Sequence, residues 1–232
     1  MSALSASDLH VRLEEAGDLP SIRRINELAF QTSVEADIYE ALRAAGAITL
    51  SMVAVVDAAF IGAEPFGGDA NGGAGVSTWG GDGGSWGQGV VGGEVIGHAL
   101  VTPVAVATEK GDESLFGLGP VAVLPSEQGR GIGTLLISAC LEQLRESGRP
   151  GVVVLGHPGY YPRFGFIPAS RWGLRLDIEV PDEAFMALEL SPGRLAGISG
   201  VVRFRPEFTK AMTQEQAAPE APGDRRSEPR PR

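Results

Sequence analysis

The chain has 232 residues, with 29 acidic against 19 basic side chains and a formal net charge of −10 at pH 7. This balance argues against nucleic acid or an anionic membrane as the main partner, because both need a basic protein face. A single cysteine excludes an internal disulfide and a cysteine-rich metal site, and we expect no metal.

The N-terminal residues show no cationic region followed by an apolar run, so no secretory signal is predicted. The longest apolar tract, residues 47–63, is interrupted by Asp57 and falls short of the roughly 20 residues that a membrane span needs. We therefore expect a soluble, cytoplasmic protein with no membrane partner.

Strand and helix patterns alternate in the first part of the chain. In order, the spacing of apolar residues predicts a strand at 10–16, helices at 17–30 and 34–46, and strands at 47–56 and 94–107. Asp18 is placed to cap the first helix at its N-terminus. Gly46 is placed to end the second.

Residues 67–93 interrupt this pattern, because 13 of these 27 residues are glycine. Such a segment cannot bury enough apolar surface to offset its ordering entropy. We expect a flexible, expanded hairpin turn between the two strands that flank it. Trp79 and Trp86 within it are candidates to fold back over a site.

The second part of the chain is predicted to contain a βαβ unit. Its elements are a strand at 115–125, a helix at 131–148 and a strand at 151–156, and two further strands follow at 184–190 and 198–204. The βαβ unit should be right-handed with parallel strands. Cys140 shares the apolar face of the helix, so a buried, inert thiol is predicted. The polar, proline-rich residues 211–232 are predicted to be disordered.

A glycine-rich loop joins the first strand of this unit to the helix, with glycines at 129, 131 and 133. Small residues before a helix let backbone N–H groups converge on an anion, and the helix dipole adds partial positive charge. Gln128 and Arg130 can add side-chain donors. The alternative is a tight turn whose glycines only permit close packing of helix and strand.

Two common phosphate-binding motifs do not fit this loop. A P-loop requires a lysine after its last glycine, and none is present. In the dinucleotide-binding motif the third glycine would fall at Thr134 or Leu136. ATP, GTP and NAD are therefore disfavoured as ligands.

Two motifs resemble those of the GNAT family of N-acetyltransferases. The family's Gln/Arg-x-x-Gly-x-Gly/Ala pattern, which follows a valine-rich strand, is matched by Gln128, Gly131 and Gly133. Its Tyr-x-x-x-Gly-Phe motif is matched by Tyr161, Gly165 and Phe166. The order of the predicted elements in residues 9–170 is similar to that of the family. The sequence up to about residue 208 is similar to a bacterial subgroup of predicted acetyltransferases.

The resemblance implies one α/β domain of the α+β type at 8–210, with the glycine-rich segment as an insertion. The expected fold has a mixed, mostly antiparallel central sheet, helices on both faces, and a splayed parallel strand pair at the cofactor site. Pro120 offers no N–H and fits a break in the strand ladder, or it simply starts a strand. Many members of the family carry an asparagine where this chain has Gly156 and His157, so no family role is assigned to these two residues.

The resemblance also implies acetyl-CoA as the cosubstrate. The loop and helix N-terminus would hold the pyrophosphate of coenzyme A, and the preceding strand would pair with the pantetheine arm. The cofactor-binding residues implied in this way are Val121, Ala122, Val123, Gln128, Gly129, Arg130, Gly131, Ile132, Gly133 and Thr134.

The implied reaction is direct attack of an amine on the thioester in a ternary complex. Tyr161 occupies the family's general-acid position, where its hydroxyl donates a proton or a hydrogen bond to the departing thiolate. A backbone N–H within 121–123 would stabilise the oxyanion. The neighbouring Tyr160 ranks second, with its side chain expected to point elsewhere.

The residues that would handle the acceptor are less well specified. His98 and His157 are candidates for a general base, because histidine is the residue type that ordinarily titrates near neutral pH, and a water relay is the alternative. Glu35 and Glu40 lie on the second predicted helix and could bind a cationic substrate. The competing interpretation is a solvated helix face.

The acceptor amine could belong to a small molecule or to a peptide or protein, because acceptor sites in this fold are built from variable loops. An alternative function is a catalytically silent acyl-CoA-binding sensor or interaction module with the same fold. A nucleotide-binding fold unrelated to coenzyme A is a third hypothesis. The residues do not specify an oligomeric state, and a homodimer is the default expectation.

Overall fold

The computed structural model describes residues 9–57 and 93–208. The elements in these ranges are β1 (Leu9–Leu13), α1 (Leu19–Phe30), α2 (Val34–Ala44), β2 (Leu50–Val56), β3 (Glu94–Thr108), β4 (Gly111–Val123), α3 (Ile132–Glu146), β5 (Gly151–Leu155), β6 (Ile167–Pro168), β7 (Leu174–Leu176), β8 (Phe185–Glu189) and β9 (Gly200–Arg203). Every element predicted within these ranges is present. The short strands β6 and β7 were not predicted.

The strands form one mixed sheet in the order β1-β2-β3-β4-β5-β8-β6, and β9 pairs with both β3 and β7. The pairs β4–β5 and β7–β9 are parallel, whereas the other pairs in the described sheet are antiparallel. The predicted mixed, mostly antiparallel sheet is confirmed. The strands on either side of α3 are parallel, as a βαβ unit requires.

Helices cover both faces of the sheet. The contacts of two neighbouring residues of β3 establish this arrangement. A Cβ atom on Gly97 would meet Ile132 and Leu136 of α3. His98 contacts Asn26 of α1 through a hydrogen bond. Successive residues of a strand face opposite sides, so α3 lies on one face and α1 on the other.

The segment after β2 connects two neighbouring antiparallel strands, because Val56 faces Glu94 in the ladder. The predicted hairpin connection is therefore confirmed at its two ends. The glycine-rich residues 67–92, with Trp79 and Trp86, lie outside the described residues, as does the tail at 211–232. In the described ranges, no helix is long and apolar enough to cross a membrane.

One local prediction is wrong. Asp18 occupies the N-cap position of α1, but its side chain makes no capping hydrogen bond to that helix. Its carboxylate instead accepts hydrogen bonds from the Arg12 guanidinium, at 2.6 and 3.0 Å, and from the backbone N–H of Glu15. These partners lower the pKa of Asp18, led by the Arg12 hydrogen bond. The bidentate pair ties α1 to β1.

The buried face of α3 is the apolar face that the sequence predicted. Cys140 is buried among the core residues of the sheet. Burial raises the pKa of its thiol to about 12, so the thiol stays protonated and unreactive at neutral pH. The prediction of an inert thiol is confirmed.

Candidate functional site

The parallel strands β4 and β5 pair over a short stretch and then separate. Phe116 and Gly117 face Val152 and Val153, and the pairing ends there. β4 continues along β3 as far as Val123. Beyond Gly117, the backbone groups of β4 that point toward β5 therefore have no partner among the described strands. The predicted splay of the parallel pair is confirmed.

A bulge in β4 lies where the two strands separate. Leu118 faces Val101 and Val121 faces Ala99, so two residues of β4 oppose the single Leu100 of β3. Those two residues are Gly119 and Pro120. The break that Pro120 predicted in the ladder occurs here, and a bulge of this kind redirects the strand.

A cavity of about 820 Å³ lies at this splay. Its lining comes from five parts of the chain: Phe30, Glu35 and Ile38; Leu118 to Val121; Leu155, Gly156 and Tyr161; Leu176 to Ile178; and Val202 to Phe204 with Pro206 and Phe208. Most of these side chains are apolar, and the charged ones are Glu35, Asp177 and Arg203. The size and the apolar walls suit a small-molecule ligand.

Tyr161 contributes its ring to the cavity wall at the end of β5. A Cβ atom on Gly156 would lie 2.4 Å from the Cε2 atom of Tyr161, so glycine is what lets the ring lie this close to the strand end. Phe166 packs edge-on against the same ring, with centroids 5.7 Å apart. Burial raises the pKa of Tyr161 to about 12. Its hydroxyl therefore stays protonated across the physiological range.

The glycine loop leads directly into the N-terminus of α3. Gly129 and Gly131 adopt positive φ angles of 76° and 84°, which favour glycine. The first helical hydrogen bond runs from the N–H of Leu135 to the carbonyl of Gly131. Residues 132–134 form the first turn of α3, where the backbone N–H groups have no carbonyl partner within the helix. They are available to an anion at the N-terminus of α3.

The side chains of two loop residues are used within the loop itself. The amide of Gln128 donates to the carbonyl of Val123 at 3.1 Å, which holds the loop against the end of β4. Arg130 forms an ion pair with Glu127. In this structure the side-chain donors predicted for an anion are thus engaged, and the backbone N–H groups are the free ones.

Tyr160 connects the loop to the cavity. Its hydroxyl lies 2.8 Å from the position of a Cβ atom on Gly133. Its ring packs edge-on against Tyr161, with centroids 5.4 Å apart. The Arg163 guanidinium covers the same ring at 4.5 Å from its centroid. Tyr160 is not among the residues that line the cavity, and its contact with the loop was not predicted.

The sequence and the structure of this chain are similar to those of known acetyltransferases. The model of the Acetyltransferase (GNAT) family matches residues 59–166. The chain is 40% identical over 125 residues to the uncharacterized N-acetyltransferase YjhQ of Escherichia coli, covering 52% of this chain and 69% of YjhQ. The solved structure of a GNAT family acetyltransferase from Brucella melitensis, in complex with acetyl-CoA, is 32% identical with a TM-score of 0.60, covering 86% of this chain and 97% of that one.

The chain belongs to the GNAT family of acetyltransferases. The uncharacterized N-acetyltransferase YhbS of Escherichia coli is 28% identical over 200 residues, which cover 86% of this chain and 98% of YhbS. The crystal structure of YhbS with CoA has a TM-score of 0.69, covering 90% of this chain and 94% of YhbS. The predicted family, fold and reaction class, an acyltransferase, are confirmed.

Within this GNAT fold, His98 lies in the core and away from the cavity. Asn26 Nδ2 lies 3.2 Å from its Nδ1, and Ser51 Oγ lies 3.0 Å from its Nε2. Asn26 can only donate through that nitrogen, so Nδ1 accepts and Nε2 carries the proton. Complete burial lowers the pKa of His98 to about 3. A neutral, enclosed imidazole of this kind is not a general base for an acceptor.

His157 is exposed, and it is not among the residues that line the cavity. Its Nδ1 accepts a hydrogen bond from the backbone N–H of Gly159 at 3.1 Å. This bond closes the turn that leads from β5 to the tyrosine motif. The position supports a role in shaping the turn.

The two glutamates proposed for a cationic substrate have different environments. Glu40 is exposed and forms an ion pair with Arg23 at 2.8 Å, which links α2 to α1. The interpretation as a solvated helix face is right for Glu40. Glu35 lines the cavity and is half-buried. Only one of the two glutamates therefore lies where a substrate could reach it.

Several cavity residues were missed by the sequence analysis. Asp177 follows β7, and Arg203 ends β9. β9 reaches the cavity because it pairs with β3 at Ala105–Ala107 and with β7 along its length. Pairings between segments so far apart in the chain leave no local spacing signal.

Proposed function

We propose that this chain transfers an acetyl group from acetyl-CoA to a primary amine, which attacks the thioester directly in a ternary complex. The observation that carries the proposal is the splay of β4 from β5, which opens into a cavity with Tyr161 in its wall. The solved relatives from Brucella melitensis and Escherichia coli contain acetyl-CoA and CoA.

The described residues fit two parts of acetyl-CoA, the pyrophosphate and the pantetheine arm. The N–H groups of 128–134 lie at the N-terminus of α3, where the helix dipole favours an anion such as a pyrophosphate. Within 9–57 and 93–208, no strand pairs with the β5 side of 118–123, so an extended pantetheine arm can pair with it. Acetyl-CoA would supply the activated acyl group. The residues of the chain would hold it and orient the acceptor beside it.

The residues that line the splay can then assist the transfer. The acceptor nitrogen, after losing a proton to solvent, attacks the thioester carbonyl carbon, and the bond from that carbon to sulfur breaks. A backbone N–H within Val121 to Val123 would stabilise the negative charge that develops on the carbonyl oxygen. The second proton lost by the nitrogen ends on the sulfur, so the products are an amide and a free thiol.

Tyr161 would act mainly as a hydrogen-bond donor to the departing sulfur. Burial raises the pKa of Tyr161 to about 12, whereas a thiol has a pKa of about 8.5. Full proton transfer from the phenol to the thiolate is therefore uphill. A hydrogen bond from the permanently protonated hydroxyl stabilises the leaving group without that transfer.

The test is a coupled measurement of free thiol and acetylated amine with the full-length chain, acetyl-CoA and a panel of primary amines. We expect the two products in a 1:1 ratio. Tyr161→Phe should lower the turnover number and leave acetyl-CoA binding unchanged, whereas Tyr160→Phe should retain turnover. Tight CoA binding with no transfer to any amine or peptide would favour the sensor hypothesis instead.

A further inference from the structure

The cavity that holds Tyr161 has a wall that is not explained by cofactor binding. This wall comes from the end of α1, the first two turns of α2, the residues after β7, the end of β9 and the residues that follow it. It is mostly apolar and includes Phe30, Ile38, Phe204 and Phe208. Two carboxylates lie within it, Glu35 on α2 and Asp177 after β7.

Apolar residues also extend to the surface beside this wall. Phe30 is 38% exposed and Ile178 is 55% exposed, although both line the cavity. Large apolar side chains exposed together at a cavity indicate a surface that an apolar ligand covers. A polar acceptor such as a sugar or a polyamine would leave these side chains in contact with its polar groups.

The carboxylate of Glu35 is held in place by a neighbouring residue. The hydroxyl of Thr32 donates a hydrogen bond to Glu35 Oε2 at 2.9 Å, and the same hydroxyl accepts from the N–H of Val34 at 3.3 Å. One carboxylate oxygen is thereby fixed, while Oε1 has no hydrogen-bond partner among the described residues. The first turn of a helix also favours negative charge.

Glu35 differs in this respect from the other acids on its helix. Asp37 and Glu40 both pair with Arg23 of α1, at 3.0 and 2.8 Å. In the part of the chain that the structure describes, no basic side chain forms an ion pair with Glu35. A half-buried carboxylate in an apolar wall lacks a counter-ion, and an ammonium ligand would supply one.

We propose that the acceptor is a small amine on an apolar body, and that Glu35 binds its ammonium group as the amine enters. This inference rests on the proposed function, because it describes the acceptor side of the same cavity. Asp177 also lines the cavity but is exposed, so solvent and salt screen it and it contributes less. Arg203 lines the cavity too and is exposed like Asp177, so the argument against polyamines rests on the apolar wall.

The test measures binding directly and does not depend on turnover. The full-length chain, saturated with CoA, is titrated by calorimetry with phenethylamine and with its neutral isostere 2-phenylethanol. We expect the wild type to bind the amine roughly 10- to 100-fold more tightly than the alcohol, as for a hydrogen-bonded charge pair. In Glu35→Gln the two ligands should bind within about twofold of each other.

Two matched variants locate the effect. Glu40→Gln removes an acid of the same helix that points to Arg23, and it should keep the wild-type preference for the amine. Asp177→Asn should reduce that preference by less than Glu35→Gln does. The proposal is overturned if Glu35→Gln keeps the preference, or if Asp177→Asn alone abolishes it.

Further ligands test the apolar body of the acceptor. Spermidine and a peptide with a polar N-terminus should bind at least about tenfold more weakly than phenethylamine, and tighter binding of either would overturn the proposal. Glu35-dependent amine binding without acetyl transfer would uphold this inference and reject the proposed function. Acetyl transfer that is insensitive to Glu35→Gln would uphold the proposed function and reject this inference.

Discussion

The hydroxyl of Tyr160 lies 2.8 Å from the position that a Cβ atom on Gly133 would occupy, and the ring carbon bearing that hydroxyl lies 3.9 Å away. The first distance is too short for a real methyl group, whereas the second is an ordinary contact. Tyr160 cannot move freely, because Tyr161 and Arg163 pack against its ring. The Tyr160 hydroxyl is therefore the group that leaves no room for a side chain at residue 133.

This relationship predicts that the effect of Gly133→Ala changes sign with the residue at 160. In the wild type the methyl group should destabilise the fold, since Tyr160 must shift. In a Tyr160→Phe background it should stabilise the fold by up to about 1 kcal/mol, because alanine is the better helix former. Urea unfolding of the four proteins measures both effects. The same sign in both backgrounds would show that the hydroxyl does not limit residue 133.

The raised pKa of Tyr161 predicts a particular pH profile for turnover. The hydroxyl is the form that donates a hydrogen bond, and its pKa of about 12 keeps it in that form well above the ordinary tyrosine pKa of about 10. Turnover should therefore show no decline between pH 8 and about 10.5 from this group. Tyr161→Phe should lower turnover roughly 100-fold at each pH. A decline centred near pH 10 in the wild type and missing in the variant would contradict this assignment.

Gly156 is predicted to control the position of the Tyr161 ring. A methyl group at 156 would lie 2.4 Å from the Cε2 atom of that ring, so Gly156→Ala should displace Tyr161 and lower turnover roughly tenfold or more. Gly17→Ala is a suitable control, because a Cβ atom at Gly17 meets no atom within 4 Å. Equal turnover in the two variants would mean that the ring position is unimportant.

His98 predicts a loss of stability in mild acid. Its pKa falls from 6.5 to about 3 on folding, so the unfolded chain binds a proton that the folded chain rejects between these values. The contribution is fully present above pH 6.5 and is lost as the pH falls toward 3. From pH 7 to pH 5 the free energy of unfolding should drop by about 2 kcal/mol from this residue alone.

The measurement compares urea unfolding of the wild type and His98→Gln at pH 7 and pH 5. The exposed His10 and His157 are common to both proteins, so the difference between the two pH dependences isolates His98. His98→Gln should be less stable at pH 7 but should lose less stability at pH 5. An equal loss in both proteins would show that His98 is not the group responsible.

The elements of this fold that could be predicted are those with a strong local pattern. α3 carries apolar residues at helical spacing over four turns, and β5 is a continuous apolar run, so both were found. β6 has two residues and β7 has three, which is too short for any period to show. Asp18 has the residue type of a cap, but its partner Arg12 comes from a neighbouring strand, which local sequence does not reveal.

The candidate site was predictable on the cofactor side and only partly on the acceptor side. Gly131 and Tyr161 belong to motifs, so their spacing identified them. Glu35 and Glu40 lie five residues apart on one helix, and sequence alone could not tell which faces a cavity and which pairs with Arg23. Arg203 arrives through strand pairing with distant residues. Such long-range contacts decide which side chains meet an acceptor.

The most direct test of the proposed acetyl-CoA site is amide hydrogen exchange of the full-length protein with and without acetyl-CoA. Binding in the splay should slow exchange at 118–123 and at 128–134, because the cofactor would accept hydrogen bonds from N–H groups on the β5 side of β4 and at the start of α3. The strand β1, which lies at the edge of the described sheet and pairs with β2, should be unaffected. Slowed exchange in other strands, with none at the glycine loop, would contradict the proposed site.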